Sequence, residues 1–386
     1  MRSVGMLDLQ TEYDLFRDDI RAAVESVLES QRFIGGPAIV ELEDTLRERV
    51  GVGSAIAVSS GTDALLCAMM AMEIGAGDEV ILPAFTFFAT AGTVTRLGAT
   101  PVFVDIDERT FNVDAREVER AVTNKTKAII AVHLFGQCAD MDAIHAVALG
   151  HGLSVIEDMA QAIDATVGGR RAGTLGRVAC CSFYPTKNLG GFGEGGMILT
   201  DDKSLADVAR RLRNHGESQR YLHDRVGGNF RLDTMKAAIL LVKLAKLEAF
   251  TKRRRKNAAA YDRLLEHSGV ITPHVPSGQK PVYHQYSILC DARDELMAYL
   301  KDHGVGSGIY YPIGLHLQPC FASLGYKAGS LPVTERTCSR ILSLPCHPML
   351  SDSDVEYVAS CVRAFYDNVL GATSAQGSAA KAAGAK

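Results

Sequence analysis

The chain has 386 residues, 41 basic against 45 acidic side chains, a net charge of -4, and 47 % hydrophobic residues. That balance suits a globular enzyme with one large and one small domain, and it argues against a strongly basic nucleic-acid binder. No apolar stretch is long and uninterrupted enough to span a bilayer. The polar N-terminus lacks a signal-peptide pattern, and nine cysteines lie scattered without metal-ligand spacing. The expectation is a cytoplasmic protein with reduced thiols, no metal and no membrane or nucleic-acid partner.

Seven short apolar runs precede residue 201, at 55–58, 79–82, 101–105, 128–132, 154–157, 179–184 and 197–200. Most are continuous rather than alternating, as in strands buried on both faces. Helical patterns at 62–74 and 140–151 separate them, so the predicted fold is α/β with a mainly parallel sheet between helical layers. Ligands of such sheets bind where strands end and turns begin. Adjacent Cys180 and Cys181, inside the sixth run, read as small packing residues. Residues 233–267 read as one long helix with Leu240, Leu241, Leu244 and Leu247 near one face. Beyond it come a strand near 283–290 and helices at 293–303 and 352–370. The predicted division is a large domain over 1–250 and a small one over 251–370. The tail at 371–386 lacks aromatic and large apolar residues and is expected to be disordered. The basic run Lys252-Arg253-Arg254-Arg255-Lys256 reads as a solvated helix face, with an anionic-substrate site as the alternative.

Three strand-end turns carry chemistry. After the first run, Ser59-Ser60-Gly61-Thr62-Asp63-Ala64-Leu65 opens a helix whose N-terminal amides suit a phosphate dianion. After the fifth comes Glu157-Asp158-Met159-Ala160-Gln161-Ala162, a carboxylate and an amide in one turn. After the sixth comes Ser182-Phe183-Tyr184-Pro185-Thr186-Lys187-Asn188. Each alone has an ordinary reading, as a helix cap or a solvated lysine. Together and in this order they are the parts of a pyridoxal phosphate site. Lys187 bonds the cofactor aldehyde, Asp158 keeps the pyridine nitrogen protonated, Gln161 meets the ring hydroxyl, and Ser182 donates to the phosphate.

With those residues in view, the chain resembles the DegT/StrS-type sugar aminotransferases among the fold-type I pyridoxal phosphate enzymes. The resemblance runs from about Leu7 to the Val358 region. It includes residues 60–65, 83–90, 98–105 and 157–162, the stretch from Ser182, Asn229-Phe230-Arg231-Leu232-Asp233, and His316-Leu317-Gln318-Pro319. It implies a seven-stranded large domain and a cofactor set of Gly61, Thr62, Asp63, Phe87, Asp158, Gln161, Ser182, Lys187 and Asn229. Phe87 would cover the cofactor ring. Asn229 would reach the phosphate of a neighbouring subunit, which implies a homodimer with shared sites. Tyr311, His316 and His215 are candidate substrate residues. Two departures stand out: Lys236 where the family usually has glutamine, and Gly314 where proline is common.

The resemblance further implies transamination from an amino-acid donor, L-glutamate, to a nucleotide-linked keto-sugar. Lys187 and Asp158 are the catalytic residues of that reading. A keto-cyclitol or a free keto sugar is the alternative acceptor. The remaining alternative is a pyridoxal phosphate-binding regulator without turnover.

Overall fold

In the computed structural model, which describes residues 2–370, all seven apolar runs become strands of one sheet. They are β1 (Ser54–Val58), β2 (Glu79–Pro83), β3 (Thr100–Val104), β4 (Thr126–Val132), β5 (Ser154–Asp158), β6 (Val178–Ser182) and β7 (Gly196–Thr200). Their order is β1-β7-β6-β5-β4-β2-β3. Every pairing from β6 to β3 is parallel, whereas β7 runs antiparallel to both β6 and β1. The continuous apolar runs are explained by burial on two sides. One face packs on α2 (Pro37–Val50), α6 (Met141–His151) and α8 (Thr234–Leu244) through Leu42, Ile144 and Leu240. The other packs on α3 (Gly61–Ala71), α4 (Phe88–Arg96) and α7 (Lys203–Arg213) through Leu65, Val94 and Leu212. The predicted tail at 371–386 lies outside the described residues.

The predicted single helix over 233–267 is two helices. α8 ends at Leu244, and α9 (Leu247–Leu264) starts after a turn in which the Lys246 amide bonds Lys243. No glycine or proline marks the break. Its cause is tertiary: Leu240, Leu244 and Leu247 belong to the sheet's core, whereas Ala258 and Tyr261 belong to a separate C-terminal core. The helix axis therefore has to turn between two cores.

That second core surrounds the antiparallel pair β8 (Tyr286–Leu289) and β9 (Ile341–Leu344), with α9, α10 (Arg293–Asp302) and α12 (Asp352–Ala364). Packing crosses the predicted division at residue 250 in both directions. Val4 joins the C-terminal core by bridging Val305, while Leu315, Phe321 and Leu331 pack into the sheet's core. Of the phenylalanines flanking Phe87, Phe85 is buried, whereas Phe88 is nearly half exposed and stacks on Phe321. Cys180 and Cys181 are buried free thiols, as expected of packing residues. Among the described residues, no helix is long and apolar enough to cross a membrane.

Candidate active site

The ends of β1, β2, β5 and β6 converge on one cavity of about 470 Å³, closed on its far side by α9, β9 and the 284–285 and 310–311 segments. Its lining includes Gly61, Thr62, Phe87, Asp158, Gln161, Ser182, Lys187 and Tyr311. The three predicted turns therefore meet in space, although they are far apart in sequence.

Asp158 is the last residue of β5 and is buried. Its Oδ2 accepts from the Thr90 hydroxyl at 2.9 Å, and its Oδ1 accepts from the Ala160 amide at 3.2 Å. Burial raises its pKa against those two bonds and the nearby charge of Lys187. No cation among the described residues forms an ion pair with it. A buried carboxylate with spare acceptor capacity and an open side fits a cationic ring nitrogen. Lys187 faces the same cavity, and burial holds its amine below the ordinary lysine range, opposed by Asp158. The neutral amine that nucleophilic and base chemistry require is thus favoured by the fold.

Gln161 is oriented at both ends. Its Oε1 accepts from the Phe135 amide at 2.6 Å, so its amide nitrogen faces the cavity and the Tyr311 hydroxyl at 3.3 Å. Phe87 caps α4 and leaves 57 % of its surface exposed beside the Tyr311 ring, 6.2 Å away. An apolar face of that size, bordering a polar cavity, suits a planar aromatic partner.

Gly61 and Thr62 are the first residues of α3, so their amides have no acceptor within the helix. A Cβ on Gly61 would lie 2.6 Å from the Ser182 Cβ, so only glycine lets this helix end meet β6. The result is a cradle of helix amides and hydroxyls suited to a phosphate.

Asp63 does not line this cradle. Its carboxylate accepts from Ser59 at 2.6 Å and Ser60 at 3.0 Å, which braces the turn behind it. Asn229 is exposed away from its own cavity and bridges Asn214. His215 is also exposed, at positive φ, with its carbonyl taken by His223. His316 is buried outside the cavity, and its Nε2 lies 3.1 Å from Glu335. A Cβ on Gly314 would lie 2.7 Å from the His316 ring, so the glycine accommodates that histidine. Lys236 pairs with Asp233 at 3.0 Å.

The basic run departs from its predicted solvated face. Lys252 and Lys256 pair with Glu248 and Asp352, but Arg254 is buried and lines the cavity. A run of five cations hides which one points inward; helical phase against the Leu247–Ala258–Tyr261 face would have singled out Arg254. Thr90, His284, Gln285 and His347 join the site without having been expected there: Thr90 lies in the 83–90 stretch, His284 and Gln285 in the strand predicted near 283–290, and His347 in no predicted element.

Comparison with known proteins agrees with this geometry. The profile described as the DegT/DnrJ/EryC1/StrS aminotransferase family matches residues 15–363. The chain belongs to that family. A Geobacillus stearothermophilus protein named "Pleiotropic regulatory protein" is 50 % identical over 94 % of this chain and 99 % of its own length. The UDP-2-acetamido-2-deoxy-3-oxo-D-glucuronate aminotransferase of Pseudomonas aeruginosa is 44 % identical over 93 % of this chain and 99 % of its own. Among solved structures, S. venezuelae DesV superposes with a TM-score of 0.93 at 40 % identity, covering 95 % of this chain and 99 % of that one. NtdA from Bacillus subtilis, with bound cofactor PMP, gives 0.86 at 31 % identity, covering 94 % and 85 %.

This aminotransferase is a sugar-transaminating, pyridoxal phosphate-dependent enzyme, and its cavity fits that cofactor. When bound, the cofactor supplies an aldehyde that bonds amines and a cationic ring that withdraws electrons from the adjacent carbon. Within the cavity, Asp158 would hold the proton on the ring nitrogen, and Gly61, Thr62 and Ser182 would hold the phosphate. The Lys187 Nζ would be the base that carries the proton leaving the donor's α-carbon. Thr90 and the Ala160 amide keep the Asp158 carboxylate aimed inward.

Proposed function

We propose that this enzyme moves the amino group of L-glutamate to a keto-sugar carried on a nucleotide. The observation that carries this reading is the Lys187–Asp158 cavity on a chain 44 % identical to an aminotransferase named for a UDP-linked 3-oxo sugar. The test is a panel of UDP- and dTDP-linked 3-keto and 4-keto sugars, with a free keto sugar and a keto-cyclitol, each incubated with L-glutamate. The expected product is a nucleotide-linked amino-sugar identified by mass. Amination confined to the free sugar or the cyclitol would replace the nucleotide-linked substrate.

The regulator reading is favoured by one observation, the name of the Geobacillus relative. Its discriminating experiment is glutamate alone. Complete conversion of the bound cofactor to its amine form shows a competent donor half-reaction; failure with glutamate and with every other amino acid of a donor panel favours the regulator.

The active unit in this proposal is a homodimer in which Asn229 serves the neighbouring phosphate. Its exposure away from its own cavity supports that role. Mixing Lys187→Ala with Asn229→Ala chains should then restore activity above either parent, because some heterodimer sites carry neither defect. Differently tagged chains would confirm exchange. Exchange without recovered activity would return Asn229 to its own chain.

A further inference from the structure

Arg254 has an environment unlike that of its neighbours in the basic run. It is 5 % exposed, and its Nη1 donates to the carbonyls of Tyr283 at 3.2 Å, His284 at 3.4 Å and Cys346 at 3.1 Å. Among the described residues its Nε and Nη2 have no protein acceptor, and none of its nitrogens meets a carboxylate. Arg253 beside it pairs with Asp352 at 2.7 Å. Carbonyls orient a guanidinium but do not neutralise it, and the carboxylate whose charge reaches Arg254, Glu12, is itself paired with Lys243 at 2.6 Å, so the buried charge is only partly compensated.

Two further groups share the wall. His347 is 5 % exposed and neither ring nitrogen has a well-formed hydrogen bond, with the Gly5 backbone and the Asp8 carboxylate as its polar neighbours. Gln285 has no donor for its Oε1 and presents an amide that can turn either end inward. Arg254, His347 and Gln285 come from three segments and line the cavity that holds Lys187. His284 is their common neighbour with the reacting amine. Its pKa is depressed by burial first, then by Lys187 and by Arg254.

We propose that Arg254, assisted by His347 and Gln285, is the subsite for a substrate carboxylate. The inference rests on the transamination reading of the same cavity. The phosphate cradle lies at α3, so this second cationic wall serves another anion. An amino-acid donor bears a carboxylate on the carbon that carries its amine, one bond from the atom Lys187 addresses. The free edge of a guanidinium matches two carboxylate oxygens. The same chemistry could come from the donor or from an acid group on the sugar.

Binding of unreactive probes to cofactor-loaded enzyme separates these sources by calorimetry. Glutarate stands for the donor, UDP-glucuronate for an acidic sugar, and UDP-glucose for a sugar without the acid. Arg254→Gln should weaken glutarate, UDP-glucuronate or both by about tenfold to a hundredfold, as losing a charged hydrogen-bond pair does. UDP-glucose should be unchanged. Loss confined to one probe identifies the source. If Arg254→Gln does not fold, Arg254→Lys and His347→Leu decide by the same comparison. Unchanged binding of both acidic probes in the folded variants, or equal loss of UDP-glucose, overturns the subsite. So does failure of wild-type enzyme to bind either acid. Wild-type enzyme that binds glutarate through Arg254 yet never converts with glutamate would keep the subsite and reject the donor.

Discussion

Two adjacent carboxylates on β5 have opposite fates. Glu157 points into the interior behind the sheet and accepts four hydrogen bonds. These come from the Leu175 amide at 2.7 Å, Gly176 at 2.6 Å, Gly173 at 2.7 Å and the His133 Nε2 at 2.9 Å. The His133 Nδ1 in turn accepts from the Ala139 amide at 3.1 Å, which places the ring proton on Nε2. Asp158, one residue on and on the opposite face, has two bonds and a cavity in front of it. A strand alternates its side chains between faces, so neighbouring acids can serve structure and chemistry separately. The saturated carboxylate ties a loop to the sheet; the unsaturated one is left to act on a ligand.

Substitutions test that division, and the largest effect is expected at the amine. Lys187→Ala should abolish transamination while leaving the fold intact, as read by product formation and circular dichroism. Measurable turnover would move the chemistry to another amine. Next, Asp158→Asn should retain some cofactor but lose turnover by roughly a thousandfold or more, because an amide does not hold a cationic ring nitrogen electrostatically. Near-normal turnover in that variant would remove the functional half of the contrast.

Glu157→Gln should act on stability instead. Its amide cannot accept all four donors, so a loss of roughly 3 kcal/mol is expected in denaturant titration. Molecules that remain folded should keep most of their turnover. A stable but inactive variant would show that the two acids share one task. Thr90→Val removes one of the two bonds to Asp158, and a loss of about tenfold in turnover with little change in stability is expected. The smallest effect should come from His316→Gln, since that ring lies outside the cavity against Glu335. A large rise in the half-saturating sugar concentration would return His316 to the substrate.

Much of this arrangement was legible in the sequence because it rests on local pattern. Continuous apolar runs specified all seven sheet strands, and the turns after 58, 157 and 182 specified the cofactor end of the cavity. Residues that depend on remote packing were hidden. The α8–α9 break has no glycine or proline, since it arises from two cores pulling one apolar stripe apart. α1 (Leu9–Ser30) went unnoticed because only Phe16, Ile20 and Val27 are buried among many charged residues. Arg254 and His347 become site residues only when α9 and the segment after β9 close over the strand ends. His316 carried a family expectation, but its environment is set by Glu335 and Gly314.

The central claim is that the amine at Lys187, opposite Asp158, is the one that bonds the cofactor. Borohydride reduction of cofactor-loaded enzyme, followed by digestion and mass mapping, tests it directly. The predicted result is one pyridoxyl mass increment on the peptide containing Lys187, absent in Lys187→Ala. A stoichiometric label on Lys236, Lys243 or any other lysine, with Lys187 unmodified, would contradict the account.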